Sequence, residues 1–309
     1  MMSSAARSFN GVSTEIGAKK NERELDRMKP LKYNIRPLQE EALKIFKVFA
    51  AICEKHKLRY YAAYGTALGA IRHHGFIPWD DDFDVAMPRE DYNIFVRHVQ
   101  DELPANMRFT RGGEESSAPI YFSKIRNAEV DIVDRMSVQT NMKINDPPYI
   151  DIFVLENVPE SVLHFSKWWR DRRFWRIVQL WRYPQSAKCS SIRGIKLLLA
   201  RFVGMVLSRK YRGTDSNEDM MRVFDEFAAR SFESTHVVEP SFFRMKESRL
   251  LPRSFFEPAR VIPFEDTVIK VASNVEEILT RYYGDYMKLP PENERVPPHV
   301  LRLMYEGHV

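Results

Sequence analysis

The chain has 309 residues, 44% of them hydrophobic and 29% charged, enough apolar material for one large domain or two small ones around a sizeable core. Its formal net charge of +5 suits nucleic acid, anionic membrane or phosphorylated ligands alike and chooses among none of them. Two cysteines far apart, Cys53 and Cys189, exclude a disulfide framework and a cysteine-ligated zinc site, and a reducing compartment is the simpler reading.

Residues 1–30 are polar throughout, lack the apolar run of a secretory signal, and read as a mobile tail. Pro37 opens a helical pattern in which Leu38, Ala42, Ile45, Phe46, Phe49, Ile52 and Cys53 recur at three- and four-residue steps, so Cys53 reads as a core residue. Residues 58–64 form a tyrosine-rich strand pattern that Gly65-Thr66 breaks, before a short helix over 67–74 closed by Gly75. Beyond Pro78-Trp79, residues 80–87 (DDDFDVAM) alternate as a second strand, and Pro88 starts a helix running to about 103. Residues 120–127 and 130–133 are predicted strands, and the run YIDIFVL at 149–155 is strongly β-prone. Residues 161–250 read as mostly helical and basic. Residues 261–264 and 267–271 flank Glu265-Asp266 like a hairpin, and Ser273 with Glu276 makes a capping box for a last helix. There is no internal repeat and no low-complexity segment.

The chemistry concentrates in a few carboxylates. Side chains two apart on a strand share a face, so Asp80, Asp82 and Asp84 would project together at spacings of roughly 6–7 Å. Three like charges on one face need a cation, and oxygen-only ligation suits magnesium or manganese. Asp151 is a lone carboxylate in an apolar strand, costly to bury unpaired, and therefore the natural further ligand. A Gly65-Thr66 turn at a helix N-terminus offers N–H groups and a positive dipole end to phosphate. The competing reading is a solvated acidic loop, with Asp151 paired to an arginine.

At this point the sequence resembles a known family. The stretch YYAAYGTALGAIRHHGFIPWDDDFDVAMPREDY looks like the signature of the LicD family of phosphocholine transferases, related to the fukutin-type ribitol-phosphate transferases, and the likeness continues in YIDIFVLENVP, VIPFEDTVIKVASNVEEIL and YYGDYMKLPPENER. The resemblance implies an α+β, nucleotidyltransferase-like fold, with a mixed sheet flanked by helices, together with magnesium dependence and a CDP-linked donor such as CDP-choline. By position it implies that Gly65 and Thr66 hold donor phosphates, that Asp82 and Asp84 are the metal-binding pair, and that Asp151 is the third carboxylate; Asp80 also fits the motif. Ala128 stands where family members often carry a polar residue.

Lys124 and Arg126 share a face and could neutralise donor phosphates, or form a solvent-facing basic pair on an edge strand. Arg72 could reach a phosphate, or complement the end of its own helix. His73 and His74 read as packing or capping residues. Between residues 161 and 184, Trp168, Trp169, Trp175 and Trp181 interleave with Lys167, Arg170, Arg172, Arg173, Arg176 and Arg182, and an apolar stretch at 195–207 follows. That stretch is too short and too charged to span a bilayer. Two readings stand for 161–210: a membrane-interface surface, or amphipathic helices packed on the core. Nucleic-acid binding ranks lowest, since no recognised module accompanies the basic residues.

The expectation is therefore a catalytic core over 31–160 and 255–309 with a basic, tryptophan-rich helical insertion at 161–254. Its reaction would move a substituted phosphate from a CDP-linked donor to a hydroxyl on a glycan or glycolipid, in the cytoplasm or at the inner face of a membrane. The rivals are attachment of a nucleotide to a small acceptor and a catalytically silent membrane-associated scaffold.

Overall fold

The structure, a computed structural model, describes residues 35–112, 122–134, 145–146, 148–158, 194–208, 234–239, 250–297 and 300–305. The N-terminal tail, Cys189 and the tryptophans and arginines of 161–184 lie outside the described residues.

The periodicity opening at Pro37 becomes α1, Arg36–Lys55, with Phe46, Phe49 and Cys53 fully buried. Burial pushes the Cys53 thiol far up, so the residue is inert packing, as its place in the pattern requires. The tyrosine-rich stretch yields only a two-residue strand, β1 (Tyr61–Ala62), because α2 begins earlier than expected, at Tyr64, and runs to His73. Gly65 and Thr66 thus sit inside the first helical turn. The helix closes on His74, which takes the left-handed conformation (φ 57°) expected of Gly75. Gly75 answers a different need: a Cβ there would lie 2.3 Å from the Glu265 carboxylate.

β2 (Asp84–Pro88) leads directly into α3 (Arg89–Glu102). There follow β3 (Met107–Thr110), β4 (Ser123–Asn127), β5 (Val130–Asp134), β6 (Asn145–Asp146), β7 (Tyr149–Asn157) and α4 (Gly194–Ser208). The C-terminal part adds β8 (His236–Val238), β9 (Leu251–Pro252), β10 (Arg260–Phe264), β11 (Thr267–Val271), α5 (Val275–Tyr283) and β12 (Val300–Tyr305). The hairpin β10–β11 forms around Glu265-Asp266 as expected. The capping box does not: Asn274 is the N-cap of α5 and makes no side-chain cap, while Glu276 pairs with Arg260 at 2.7 Å.

Seven strands make a mixed sheet with the order β1-β2-β7-β4-β3, extended by β8 on β7 and β9 on β8. Only the central β2–β7 pair is parallel among these pairings. The fold is α+β, and β8 and β9 draw residues from a stretch that reads as helical into the core sheet. Helices α1 and α3 cover one face, where Phe49 meets Phe46 and Phe95 with ring centroids 6.4 and 5.2 Å away. A buried ion pair of Arg89 with Glu156 links the start of α3 to the end of β7. Among the described residues, no helix is long and apolar enough to cross a membrane.

Candidate active site

Period-2 alternation puts Asp84 and Asp151 on the face of the sheet away from α1 and α3, and register places them side by side. Asp84 on β2 is opposite Asp151 on β7, which is opposite Lys124 on β4, so three charged side chains form one row across three adjacent strands. All three are buried, at 6%, 7% and 5% exposure.

The expected strand from residue 80 begins only at Asp84, because pairing with β1 and β7 starts there. Asp80 and Asp82 therefore precede the strand as a loop, and α1 holds that loop from below: Gln39 donates its amide to the carbonyls of Ile77 (3.1 Å) and Asp80 (2.9 Å). The first turn of α2 clamps the other end. Thr66 Oγ1 accepts from the Asp84 N–H at 2.8 Å, and the Ala63 N–H donates to the Asp84 carbonyl at 3.0 Å. A Cβ on Gly65 would fall 2.4 Å from Asp80 Oδ2, so a side chain there would displace the Asp80 carboxylate. The acid loop and the helix N-terminus are thus one unit, with the amides of the helix's first turn next to the carboxylates.

Burial, then Asp82, Asp151 and Asp80 in that order, pushes the Asp84 carboxyl well above the usual carboxylate range. Asp82, Asp151 and Asp80 are thus near enough to Asp84 to repel its charge. Among the described residues no cation forms an ion pair with Asp84. Burial raises Asp151 as well, opposed chiefly by Lys124, whose Nζ lies 2.6 Å from Asp151 Oδ1. Carboxylate oxygens with excess negative charge suit a hard divalent cation such as magnesium or manganese, and Asp82, Asp84 and Asp151 are the residues that could hold one.

Strand β4 lies between β7 and β3, so the edge-strand alternative for Lys124 and Arg126 fails. Lys124 is sandwiched by Asp151 and the Tyr149 ring, 3.1 Å from its centroid. Arg126 is also buried, donating to Thr110 Oγ1 at 3.3 Å with the same Tyr149 ring 5.7 Å away. Tyr149 escaped sequence reasoning, although its place two residues before Asp151 put it on the same face. Gln39 escaped as well, and no local signal marks it. Arg72 reaches across to the Tyr286 carbonyl at 2.7 Å, tying α2 to the segment after α5; burial lowers its pKa and nearby Asp80 opposes this. His73 packs its ring edge-on to Trp79, in keeping with a packing role.

Fold and site together define an α+β protein in which the first turn of a helix adjoins Asp84 and Asp151, opposite one another on the two central strands. Residues 57–164 match the family described as LicD/FKTN/FKRP, nucleotidyltransferase domain. The match spans Gly65, Thr66, Asp80, Asp82, Asp84 and Asp151. The chain is 28% identical over 279 residues to the lipopolysaccharide cholinephosphotransferase LicD of Haemophilus influenzae, covering 87% of this chain and 97% of that relative. Shorter likenesses join it to uncharacterized proteins of Rickettsia prowazekii, 44% identical over 50 residues (16% of this chain, 17% of the relative), and of Rickettsia typhi, 38% over 69 residues (21% of each).

Proposed function

We propose that this protein transfers a substituted phosphate from a CDP-linked donor to a hydroxyl of a glycan or glycolipid, with magnesium (or manganese) required and CMP released. The observation that carries the reading is the row Asp84–Asp151–Lys124 lying beside the first turn of α2, within a domain whose long relative is named for phosphocholine transfer to lipopolysaccharide. Magnesium, held by Asp82, Asp84 and Asp151, would neutralise charge on the transferred phosphate.

The chain's own groups divide the remaining work. Amides of Tyr64, Gly65 and Thr66 orient donor phosphate oxygens, and the Thr66 bond to Asp84 keeps helix and carboxylate in register. An acceptor oxygen bonds to the phosphorus bearing the alcohol, the bond from that phosphorus to the bridging oxygen breaks, and CMP leaves with the electron pair. The hydroxyl proton passes to the Asp151 carboxylate, whose burial strengthens it as a base while Lys124 holds it in place. Lys124 and Arg126 add positive charge beneath the site.

Apolar side chains along α4, including Ile195 (73% exposed), Leu198 (65%) and Phe202 (59%), are open to solvent, which favours a membrane-interface role for this stretch over packing on the core. Catalysis in the cytoplasm at the inner face of a membrane follows from that reading, with the core at 31–160 and 255–309 and the insertion as its membrane-facing part. Incubation with CDP-alcohols and magnesium, followed by chromatography for CMP, tests the reaction. Absence of CMP from every donor would sink it, and a nucleotide attached to the acceptor would replace it with nucleotidyl transfer.

A further inference from the structure

The C-terminal ends of α1 and α3 meet on the side of the sheet opposite the carboxylate row, and three metal-ligating side chains meet there with them. His56 is the C-cap of α1, its N–H donating to the Ile52 carbonyl at 3.1 Å, and the chain turns away through Lys57 in the left-handed conformation (φ 55°). His98 and Glu102 stand four residues apart in the last turns of α3, on one face of that helix. The His56 and His98 rings stack with centroids 4.2 Å and planes 14° apart. Glu102 Oε1 completes the group, 2.7 Å from His56 Nε2 and 3.0 Å from Lys55 Nζ.

The rival reading is purely structural: an ion pair of Lys55 with Glu102, and a hydrogen bond from His56. It accounts for Glu102 but not for His98, whose ring stacks on a second imidazole and hydrogen-bonds to no described residue. It is also weakly held, since the Lys55 side chain is 64% exposed and its ammonium returns to water at little cost. His56 and Glu102 are partly buried, so few rotamers are open to them.

We propose that His56, His98 and Glu102 bind one divalent ion of the zinc class, which clips the end of α1 to the end of α3. One ligand atom from each residue lies within 4.8 Å of the other two. Bonds of about 2.0–2.2 Å to a tetrahedral ion set ligand atoms roughly 3.3 Å apart. The His56–Glu102 contact therefore opens slightly and the widest separation closes by at most about 1.5 Å, movements that rotation of the His98 and Glu102 side chains supplies. Two imidazole nitrogens and one carboxylate suit zinc, cobalt or nickel over magnesium, and water takes the position left open. The all-oxygen carboxylates across the sheet have the opposite preference, so ligand type sorts the two ions between the two faces. The ion at His56 stands apart from the reacting groups and acts on stability, because the three ligands come together only in the folded chain.

The test uses tag-free, full-length protein, stripped with chelator and returned to buffer containing excess magnesium chloride, which competes for the carboxylates. Zinc chloride is then added, with calorimetry and melting temperature as the readouts. The parent is expected to bind zinc and to melt roughly 5–10 °C higher at zinc about 100-fold above Kd. His98→Gln is expected to weaken zinc affinity at least about tenfold and to lose most of that melting shift, while melting within about 2 °C of the parent in chelator. If His98→Gln fails to fold, His56→Gln carries the same expected loss of zinc affinity. A parent that binds no zinc in excess magnesium, or a folded variant that binds zinc as tightly as the parent, overturns the proposal.

Discussion

Replacing Lys124 by methionine removes the one cation in the buried row while keeping most of the side chain's volume. At 2.6 Å and an effective dielectric near 20, the Lys124–Asp151 attraction is about 6 kcal/mol. Part of that is offset in the parent by the cost of burying both charges, and breaking such a pair from one side typically costs about 3–5 kcal/mol. The orphaned Asp151 would also face Asp84 and Asp82 with only the more distant charge of Arg126 to offset them. In chelator at pH 7.5 the variant should therefore melt on the order of 10 °C below the parent, taking about 2–4 °C per kcal/mol for a domain of this size. Magnesium should narrow the gap, because a cluster that is one charge more negative binds a divalent cation more tightly and binding stabilises only the folded state. The double variant Lys124→Met/Asp151→Asn should recover most of the chelator-state loss. Differential scanning fluorimetry with EDTA or 10-fold steps of magnesium chloride measures all three. A loss below about 1 kcal/mol in EDTA, or a gap indifferent to magnesium, would refute the assignment of Lys124 as the internal counter-ion of a cation site.

Asp84→Asn should abolish CMP release yet stabilise the metal-free protein at pH 7.5 by about 1–2 kcal/mol, since it deletes a buried, repelled charge. Because the folded chain holds the Asp84 proton to higher pH than the unfolded chain, the parent gains stability on acidification and loses it as pH rises through the folded pKa. The advantage of the asparagine variant should therefore shrink toward pH 5, and urea unfolding giving equal differences at both pH values would contradict this. Thr66→Val should cost about 1–3 kcal/mol by leaving the buried Asp84 N–H without an acceptor, and should weaken donor binding by calorimetry; an unchanged donor affinity would make Thr66 purely structural. Glutamine at Arg170, Arg172, Arg173 and Arg176 together should reduce co-sedimentation with anionic vesicles while sparing donor hydrolysis by water, and vesicle binding equal to the parent's would return that stretch to the core.

Elements with a strong local signal were legible before any coordinates. The apolar period after Pro37, the alternation and β-branching of 149–155, and the turn at Glu265-Asp266 each specify structure within a few residues. They appear as α1, β7 and the β10–β11 hairpin. The candidate site residues also stood out as local patterns, carboxylates spaced by two and a glycine-threonine pair, although Asp80 and Asp82 precede the strand and Gly65-Thr66 lie within the helix. The boundaries were less so. Alternation from Asp80 looks the same on paper as alternation from Asp84, and only the partners on β1 and β7 decide where pairing begins. The left-handed cap fell on His74, while Gly75 lies against the Glu265 side chain, 190 residues on in the sequence and adjacent in space.

The amino-acid sequence by itself marked out candidates for the chemistry: Gly65, Thr66, Asp80, Asp82, Asp84 and Asp151 stand out by type and spacing and by the family resemblance. Tertiary structure decided what each of them meets. Lys124 could be an exposed cation or the partner of Asp151, and the β4–β7 register made it the latter. Glu239 sits in a stretch that reads as part of a helical insertion, yet the pairing of β8 with the end of β7 carries it to the wall of a cavity beside the acids. The physical reason is common to both. Secondary structure answers to periodicities over a few residues, whereas register, burial and the company of a charge are set by contacts between segments far apart in the chain, and those contacts exist only once the sheet has formed.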